Sequence, residues 1–317
     1  MTQTIAFLFP GQGSQVVGMG KELAGRYAVA RDVFAEADGA LSYPLSQLCF
    51  DGPEDKLKLT EITQPAILTV SIAAQRVLAE HGVQPQFVAG HSLGEYSAHV
   101  AVGTVGFADA VCTVAKRGRY MQEAVPVGTG AMAAILALDL SDLEEACREA
   151  QQETGGVVSP ANINSPDQIV ISGSKAAVER AVELAKAKGA KRAVMLQVSA
   201  PFHCSLMQPA QDRLADDLRA LKFAAPQVPV VTNVDAELIQ DGARARDALI
   251  RQVTAAVQWV RCIQALIAAG AQTFVEVGPG KVLTGLLRQV DRSKTGLNVE
   301  NEDSLQKTLA SLGTQAD

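Results

Sequence analysis

The sequence predicts an α/β protein, a parallel sheet covered by helices and interrupted by a compact βαββαβ insert. Three observations carry this. The N-terminal third alternates apolar strand-like runs with helical stretches, the mark of a parallel sheet. Between Gly130 and Ser199 the order becomes strand, helix, strand, strand, helix, strand, that of a ferredoxin-like unit. Finally, 317 residues that are 48% hydrophobic and 20% charged have the composition of a globular chain with room for a large core.

In order along the chain, IAFLF at 5–9 reads as a strand, followed by helices near 22–38 and 65–80 and a second strand, FVAG, at 87–90. The insert comprises AMAAILAL, SDLEEACREA, GVVSPANI, DQIVISG, KAAVERAVELAKAKG and RAVMLQVS. Its expected limits are 128–198, leaving 1–127 and 199–317 as the main body. A helix, the strand VPVVTNV, a further helix and the strand TFVEVG then complete the main sheet. The last 25 or so residues are polar and weakly patterned, which predicts a loose helix and a frayed end.

Several function classes are excluded early. A formal charge of −6 does not suit phosphate-backbone binding, so no nucleic-acid partner is expected. Uncharged stretches such as 62–75 are broken by Thr, Ser, Gln and Pro and fall short of the ~18 apolar residues of a membrane span. Ile5–Phe9 is too short for a secretory signal core, so a cytoplasmic location is expected. The five cysteines, at 49, 112, 147, 204 and 262, contain no C-x-x-C pair and predict neither a disulfide framework nor a zinc site. Gly11, Gly13 and Gly18 miss the dinucleotide-binding spacing, and Gly13–Gly18 is followed by Met19 rather than a P-loop lysine.

The strongest motif is G-x-S-x-G at Gly90, Ser92 and Gly94, between an apolar strand and a helical run. In that setting it marks a nucleophile elbow, which needs glycines because side chains would collide and which lifts the serine oxygen into a cleft. The helix N-terminus behind it offers free N–H groups to an oxyanion, Leu93 N–H first among them. The plainer alternative is a serine cap in an ordinary glycine turn.

A serine nucleophile needs a base, and four histidines are available. His81 precedes Gly82 at a helix end and suits a capping role. His91 adjoins Ser92 and should point away from it, while His99 lies about 10 Å along the following helix. That leaves His203 in SAPFHCSLM, in a turn after a strand, with a structural histidine as the alternative. Cys204 next to it is better read as a small core residue than as a nucleophile.

With FPGQGSQ at 9–15, GHSLGE at 90–95, KRG at 116–118, SAPFHCSLM at 199–207 and EVGPGKVLTG at 276–285, the chain resembles the malonyl-CoA:acyl carrier protein transacylases of bacterial type II fatty acid synthesis over essentially its whole length. The resemblance implies an α/β-hydrolase-like body with a ferredoxin-like insert. It implies transfer of a malonyl group from malonyl-CoA to the phosphopantetheine thiol of an acyl carrier protein, by a ping-pong route through malonyl-Ser92 and with no metal or cofactor. By position, Ser92 and His203 would be nucleophile and base, Gln12 and Leu93 would form the oxyanion hole, and Arg117 would bind the malonyl carboxylate. Gln252 would orient the imidazole through its backbone carbonyl, in place of a triad acid; no Asp or Glu announces itself in that role. One departure is Ala256, where relatives often have proline.

Winding residues 107–121 at ~3.6 per turn puts Phe107, Ala110, Val111, Val114, Gly118 and Met121 on one stripe, with Arg117 at its edge and Lys116 and Arg119 on the solvated side. An arginine there seeks a carboxylate, which could be a substrate's free acid or a protein side chain. An esterase or thioesterase would share Ser92, His203 and the fold. Lys186, Lys188, Lys191 and Arg192 cluster at the end of the insert's second helix, where they could steer an acidic carrier protein or simply complement the helix dipole.

Overall fold

The computed structural model describes residues 4–198 and 200–313. Among these, ten strands form two sheets. In chain order they are β1 (Ile5–Phe9), β2 (Phe87–Gly90), β3 (Gly130–Leu136), β4 (Val158–Ser165), β5 (Gln168–Ser174), β6 (Arg192–Met195), β7 (Val230–Val231), β8 (Leu238–Ile239), β9 (Thr273–Val277) and β10 (Thr295–Val299).

The first sheet has the order β10-β9-β1-β2-β7-β8. All its neighbours pair in parallel except the short β8, which returns antiparallel to β7. Helices cover both faces, so its central strand is apolar throughout rather than alternating. Phe7 and Phe9 of β1 face one core, shared with helix Thr60–Glu80, while Ala6 and Leu8 face another, shared with Trp259, Ile263 and Leu266.

The second sheet, β4-β5-β3-β6, is antiparallel throughout. Alternation along β3 decides which side meets which layer. Ala133 and Ile135 pack under helices Leu140–Thr154 and Lys175–Ala187, and Met132 and Ala134 turn toward the core of the main body. Backbone bonds tie β4 to the segment before helix Trp259–Ala268: Ile163 N–H donates to Val257 O at 2.9 Å, and Val257 N–H to Ala161 O at 2.8 Å. The cleft between the two sheets is where the site residues gather.

The elements depart from expectation at three places. The helix near 22–38 is two helices, Lys21–Arg26 and Ala28–Leu41, broken at Tyr27, whose backbone is extended and whose hydroxyl donates to Glu302 Oε2 at 2.9 Å. The helix near 65–80 starts at Thr60 and carries Pro65 within it. The expectation of a loose C-terminal helix is corrected. Residues 295–299 form the edge strand β10, and helix Glu302–Leu312 has a reciprocal N-terminal cap, Ser304 N–H to Asn301 Oδ1 and Asn301 N–H to Ser304 Oγ, both 3.0 Å. Such a capping box satisfies two orphan donors at once. Leu305 and Leu309 then anchor the helix in the core. The expected frayed end, 314–317, lies outside the described residues. No helix among the described residues is long and apolar enough to cross a membrane.

Candidate active site

The elbow forms because two glycines let three backbone segments touch. A Cβ on Gly90 would lie 1.9 Å from Gly94 C and O, and one on Gly94 would lie 2.0 Å from Phe9 O at the end of β1. Neither site has room for a side chain. Ser92 between them is forced to φ 52°, ψ −106°, a sparsely populated conformation for a non-glycine residue of the kind that collects at functional sites. Its N–H is spent on Asn233 Oδ1 at 2.7 Å. Leu93 N–H opens helix Leu93–Ala101 and has no intrahelical acceptor, which leaves it available to a ligand.

The structure brings together the predicted residues. Ser92 Oγ is 2.7 Å from His203 Nε2, and His203 Nδ1 is 2.9 Å from the Gln252 carbonyl oxygen. A carbonyl can only accept, so the proton sits on Nδ1 and Nε2 is left to accept from the serine hydroxyl. The loop after Gln252 holds this geometry with Ala256 in place. Burial, with help from the Arg117 charge, pushes the His203 imidazole down to about 3. It is therefore neutral, and able to take a proton, through the physiological range.

Arg117, in helix Phe107–Glu123, is 1% exposed, deeper than its stripe-edge position suggested. Gly118 makes this possible: a Cβ there would lie 2.5 Å from Thr60 O, so the two helices meet in close contact and carry Arg117 into the core. Its fork donates to Gln64 Oε1 and Gln252 Oε1, each at 2.9 Å, and to Ser92 Oγ at 3.1 Å, while Nε has no partner. Among the described residues it forms no ion pair. A buried charge with no direct salt-bridge partner costs several kcal/mol after relaxation. The salt bridge to a protein acid, one of the two readings of this arginine, is thus not what the molecule contains.

These groups line a cavity of about 550 Å³. The main body contributes Gln12, Ser92, Leu93 and Arg117, and the second sheet with its exit strand contributes Met132, Asn162 and Leu196. Gln12 sits at the exposed rim, in a turn where Gly11 passes so close to His91 that a Cβ would fall 2.5 Å from His91 O. His91 lies nearer the site than expected. Its ring lines the same cavity, packs 5.3 Å from Trp259 and has Nε2 2.8 Å from Asn164 Oδ1. Cys204 is buried, its Sγ donating to Pro201 O at 3.2 Å and its thiol pushed up by burial, so it offers no thiolate. No group of three or more His, Cys, Asp or Glu among the described residues could hold a metal ion.

Among the polar residues at the site that the sequence did not single out are Gln64, Asn233 and Glu95. Gln64 sits among Thr60, Glu61 and Thr63 at the start of its helix, where nothing local marks it out. Asn233 ends VVTNV with no motif to mark it, and Glu95 was visible only as the last letter of GHSLGE. The fifth motif, EVGPGKVLTG, is accounted for structurally. Glu276 is buried and accepts from Leu283 N–H, Thr284 N–H and the Thr284 hydroxyl, capping helix Val282–Val290.

A strained serine at a strand-to-helix turn, hydrogen-bonded to a histidine across a cleft between two sheets, defines an α/β enzyme of the serine–histidine class. The family model described as "Acyl transferase domain" matches residues 6–310. The malonyl CoA-acyl carrier protein transacylase of Escherichia coli O157:H7 is 54% identical over 291 residues, 92% of this chain and 93% of that protein. An acyl carrier protein S-malonyltransferase from Vibrio cholerae superposes with a TM-score of 0.94 at 49% identity, covering 96% of this chain and 100% of the other. A malonyl-transacylase solved with a type II polyketide acyl-carrier protein superposes with a TM-score of 0.94 at 46% identity, covering 98% and 100%. The chain belongs to the malonyl CoA-acyl carrier protein transacylase family and is an acyltransferase.

The His203 environment yields a direct expectation. Its ring nitrogens, followed by ¹⁵N NMR, should keep neutral-imidazole shifts as pH falls through 6.5 and change only near the acid limit of the fold. A midpoint close to 6.5 would mean that the imidazole is solvated and that the pocket is not as dry as the geometry implies.

Proposed function

We propose that this chain moves a malonyl group from malonyl-CoA to the phosphopantetheine thiol of an acyl carrier protein, in two half-reactions that share malonyl-Ser92. The observation that carries this reading is Arg117: a buried guanidinium with no salt-bridge partner among the described residues, 3.1 Å from the serine oxygen. An esterase or thioesterase would use Ser92 and His203 equally well, but would leave that charge unexplained. A donor bearing a free carboxylate answers it, because charge-assisted bonds to a planar fork are among the strongest side-chain contacts.

In the first half-reaction the Ser92 hydroxyl gives its proton to His203 Nε2 as Oγ attacks the thioester carbonyl carbon. The resulting oxyanion falls to Leu93 N–H and to the Gln12 backbone at the rim. Collapse breaks the C–S bond, and CoA leaves as a thiol with the proton returned from Nε2. In the second half the carrier's thiol gives its proton to the same nitrogen, its sulfur attacks the malonyl ester, and Ser92 Oγ leaves and is reprotonated. The Gln252 carbonyl accepts from Nδ1–H throughout and stabilises the imidazolium that forms, so the side chain of a third acid is not needed. The chemistry calls on no metal or redox cofactor.

The architecture supports reading the main body, 1–127 and 199–317, as α/β-hydrolase-like and 128–198 as a ferredoxin-like subdomain, since the second sheet has the order β4-β5-β3-β6 with both helices on one face. On that reading the acyl chemistry lies between the two. The carrier protein would approach over the second sheet. Lys186, Lys191 and Arg192 there are exposed, whereas Lys188 is engaged by Glu145 at 2.8 Å and Glu149 at 3.1 Å and contributes less free charge. The pathway served is the synthesis of acyl chains on an acyl carrier protein.

Three outcomes test this reading. Mixing with malonyl-CoA should add one malonyl mass to the peptide holding Ser92, and Ser92→Ala should abolish it; an unlabelled protein, or a label on Cys204, contradicts the assignment. Arg117→Ala removes contacts worth roughly 1.5–3 kcal/mol and should lower malonyl transfer about 10 to 150-fold, with acetyl transfer hurt much less. Equal losses for both donors would make Arg117 structural. Reversing Lys191 and Arg192 to glutamate should raise KM for the carrier protein at low salt while leaving transfer to free pantetheine unchanged. Unchanged carrier kinetics would assign those charges to the helix end alone.

A further inference from the structure

Beneath the elbow lies a buried polar frame that the transfer chemistry does not itself use. Glu95, in the first turn of helix Leu93–Ala101, is 0% exposed. Its Oε2 accepts from Gln252 Nε2 at 2.7 Å and from Asn233 N–H at 3.0 Å. Its Oε1 has no hydrogen-bond partner and stands 4.0 Å from His99 Nε2, on an imidazole whose two nitrogens are also unpartnered. From Oε2 two chains of bonds lead to the site. Through Gln252, the amide whose nitrogen is held by Glu95 and by Ser92 O at 3.0 Å turns its oxygen to Arg117 at 2.9 Å. Through Asn233, the side chain spans the elbow, accepting from Ser92 N–H at 2.7 Å and donating to Gly90 O at 2.7 Å.

An amide can face either way, and only its partners decide which. At Gln252 the choice matters. With oxygen toward Arg117 the amide accepts from the fork; reversed, it would set an N–H donor against a guanidinium that can only donate. Arg117, Ser92 O and Asn233 Oδ1 favour the same orientation, and Glu95 strengthens it, because its Oε2 takes the shortest bond from Nε2, 2.7 Å against 3.0 Å to Ser92 O and 3.3 Å to Asn233 Oδ1. Burial pushes the Glu95 carboxyl up to about 7, yet the arrangement does not need the charge: a protonated carboxyl with its hydrogen on Oε1 still presents Oε2 as an acceptor.

We infer that Glu95 is a positioning residue for acyl-donor selection, which acts through the Gln252 amide to hold the Arg117 fork where a substrate carboxylate meets it. This rests on the reading of Arg117 given above. It differs from the backbone role of Gln252 beneath His203, since it uses that residue's side chain and a carboxylate that touches neither substrate nor base.

The test is the ratio of kcat/KM for malonyl-CoA to that for acetyl-CoA in the full-length protein. E95M keeps the buried volume and removes the acceptor, and should lower the ratio about tenfold; E95Q restores an acceptor oxygen and should keep the ratio within about threefold of the parent. A merely structural Glu95 would reduce both donors alike, so an E95M protein with an unchanged ratio overturns the inference. If E95M does not fold, Q252M takes its place, since it leaves the backbone carbonyl under His203 intact. Q252M should lower the ratio as far as E95M was expected to, and an unchanged ratio overturns the inference in the same way. A parent protein that transfers no malonyl group at all would instead defeat the functional reading on which this one stands.

Discussion

The whole site depends on one steric constraint, the absence of side chains at Gly90 and Gly94. With Phe9 O and the Gly94 backbone both within 2.0 Å of where a Cβ would stand, β1, β2 and helix Leu93–Ala101 approach as closely as backbones can. That approach bends the chain at Ser92, opens its Oγ to His203 and points the helix N-terminus at the same spot. The proposed nucleophile and oxyanion donor are thereby placed by backbone packing at the end of the sheet, while His203, the proposed base, reaches them from the turn after Pro201 and is held there by the Gln252 carbonyl.

A second close approach, at Gly118, sets the depth of Arg117, the residue proposed to recognise the acyl group. It draws Arg117 into a region of the core where its neighbours are the amides of Gln64 and Gln252 and the ring of Tyr96, 5.6 Å away. Amide oxygens solvate a guanidinium without neutralising it. The charge is therefore held in place yet left available, in a pocket where reduced solvent screening strengthens its attraction for an anion. Glu95 attracts Arg117 without bonding it directly and reaches it through the Gln252 amide, so on the inference above it orients the fork and does not compete with a substrate for it.

Much of this was legible because glycine and proline punctuation, apolar runs and helical stripes leave marks in sequence. G-x-S-x-G, the four-histidine elimination and the βαββαβ order each follow from local chemistry. What escaped did so for physical reasons. β10 is an edge strand whose residues before Val299 are half-buried or exposed, so it never shows an apolar run. The helix after it depends on the Asn301–Ser304 cap rather than on a long apolar face. The break at Tyr27 is fixed by a bond to Glu302, a tertiary contact that no local pattern records. Gln64, Asn233 and Glu95 owe their roles to being buried beside one another, and burial of an isolated amide or carboxylate cannot be read from its neighbours in the chain. Arg117 showed the same limit in milder form: its face was evident, its depth was not.

The central claim is that Arg117 is held unpaired to receive the free carboxylate of the acyl group. A crystal structure of the protein trapped as the Ser92 ester with malonate tests it most directly. The ester's distal carboxylate should lie on the Arg117 fork, with the guanidinium's bond to Ser92 Oγ replaced and its bonds to Gln64 and Gln252 kept. An ester whose carboxylate points out to the cleft mouth, with Arg117 still bound as in the free protein, would contradict the claim.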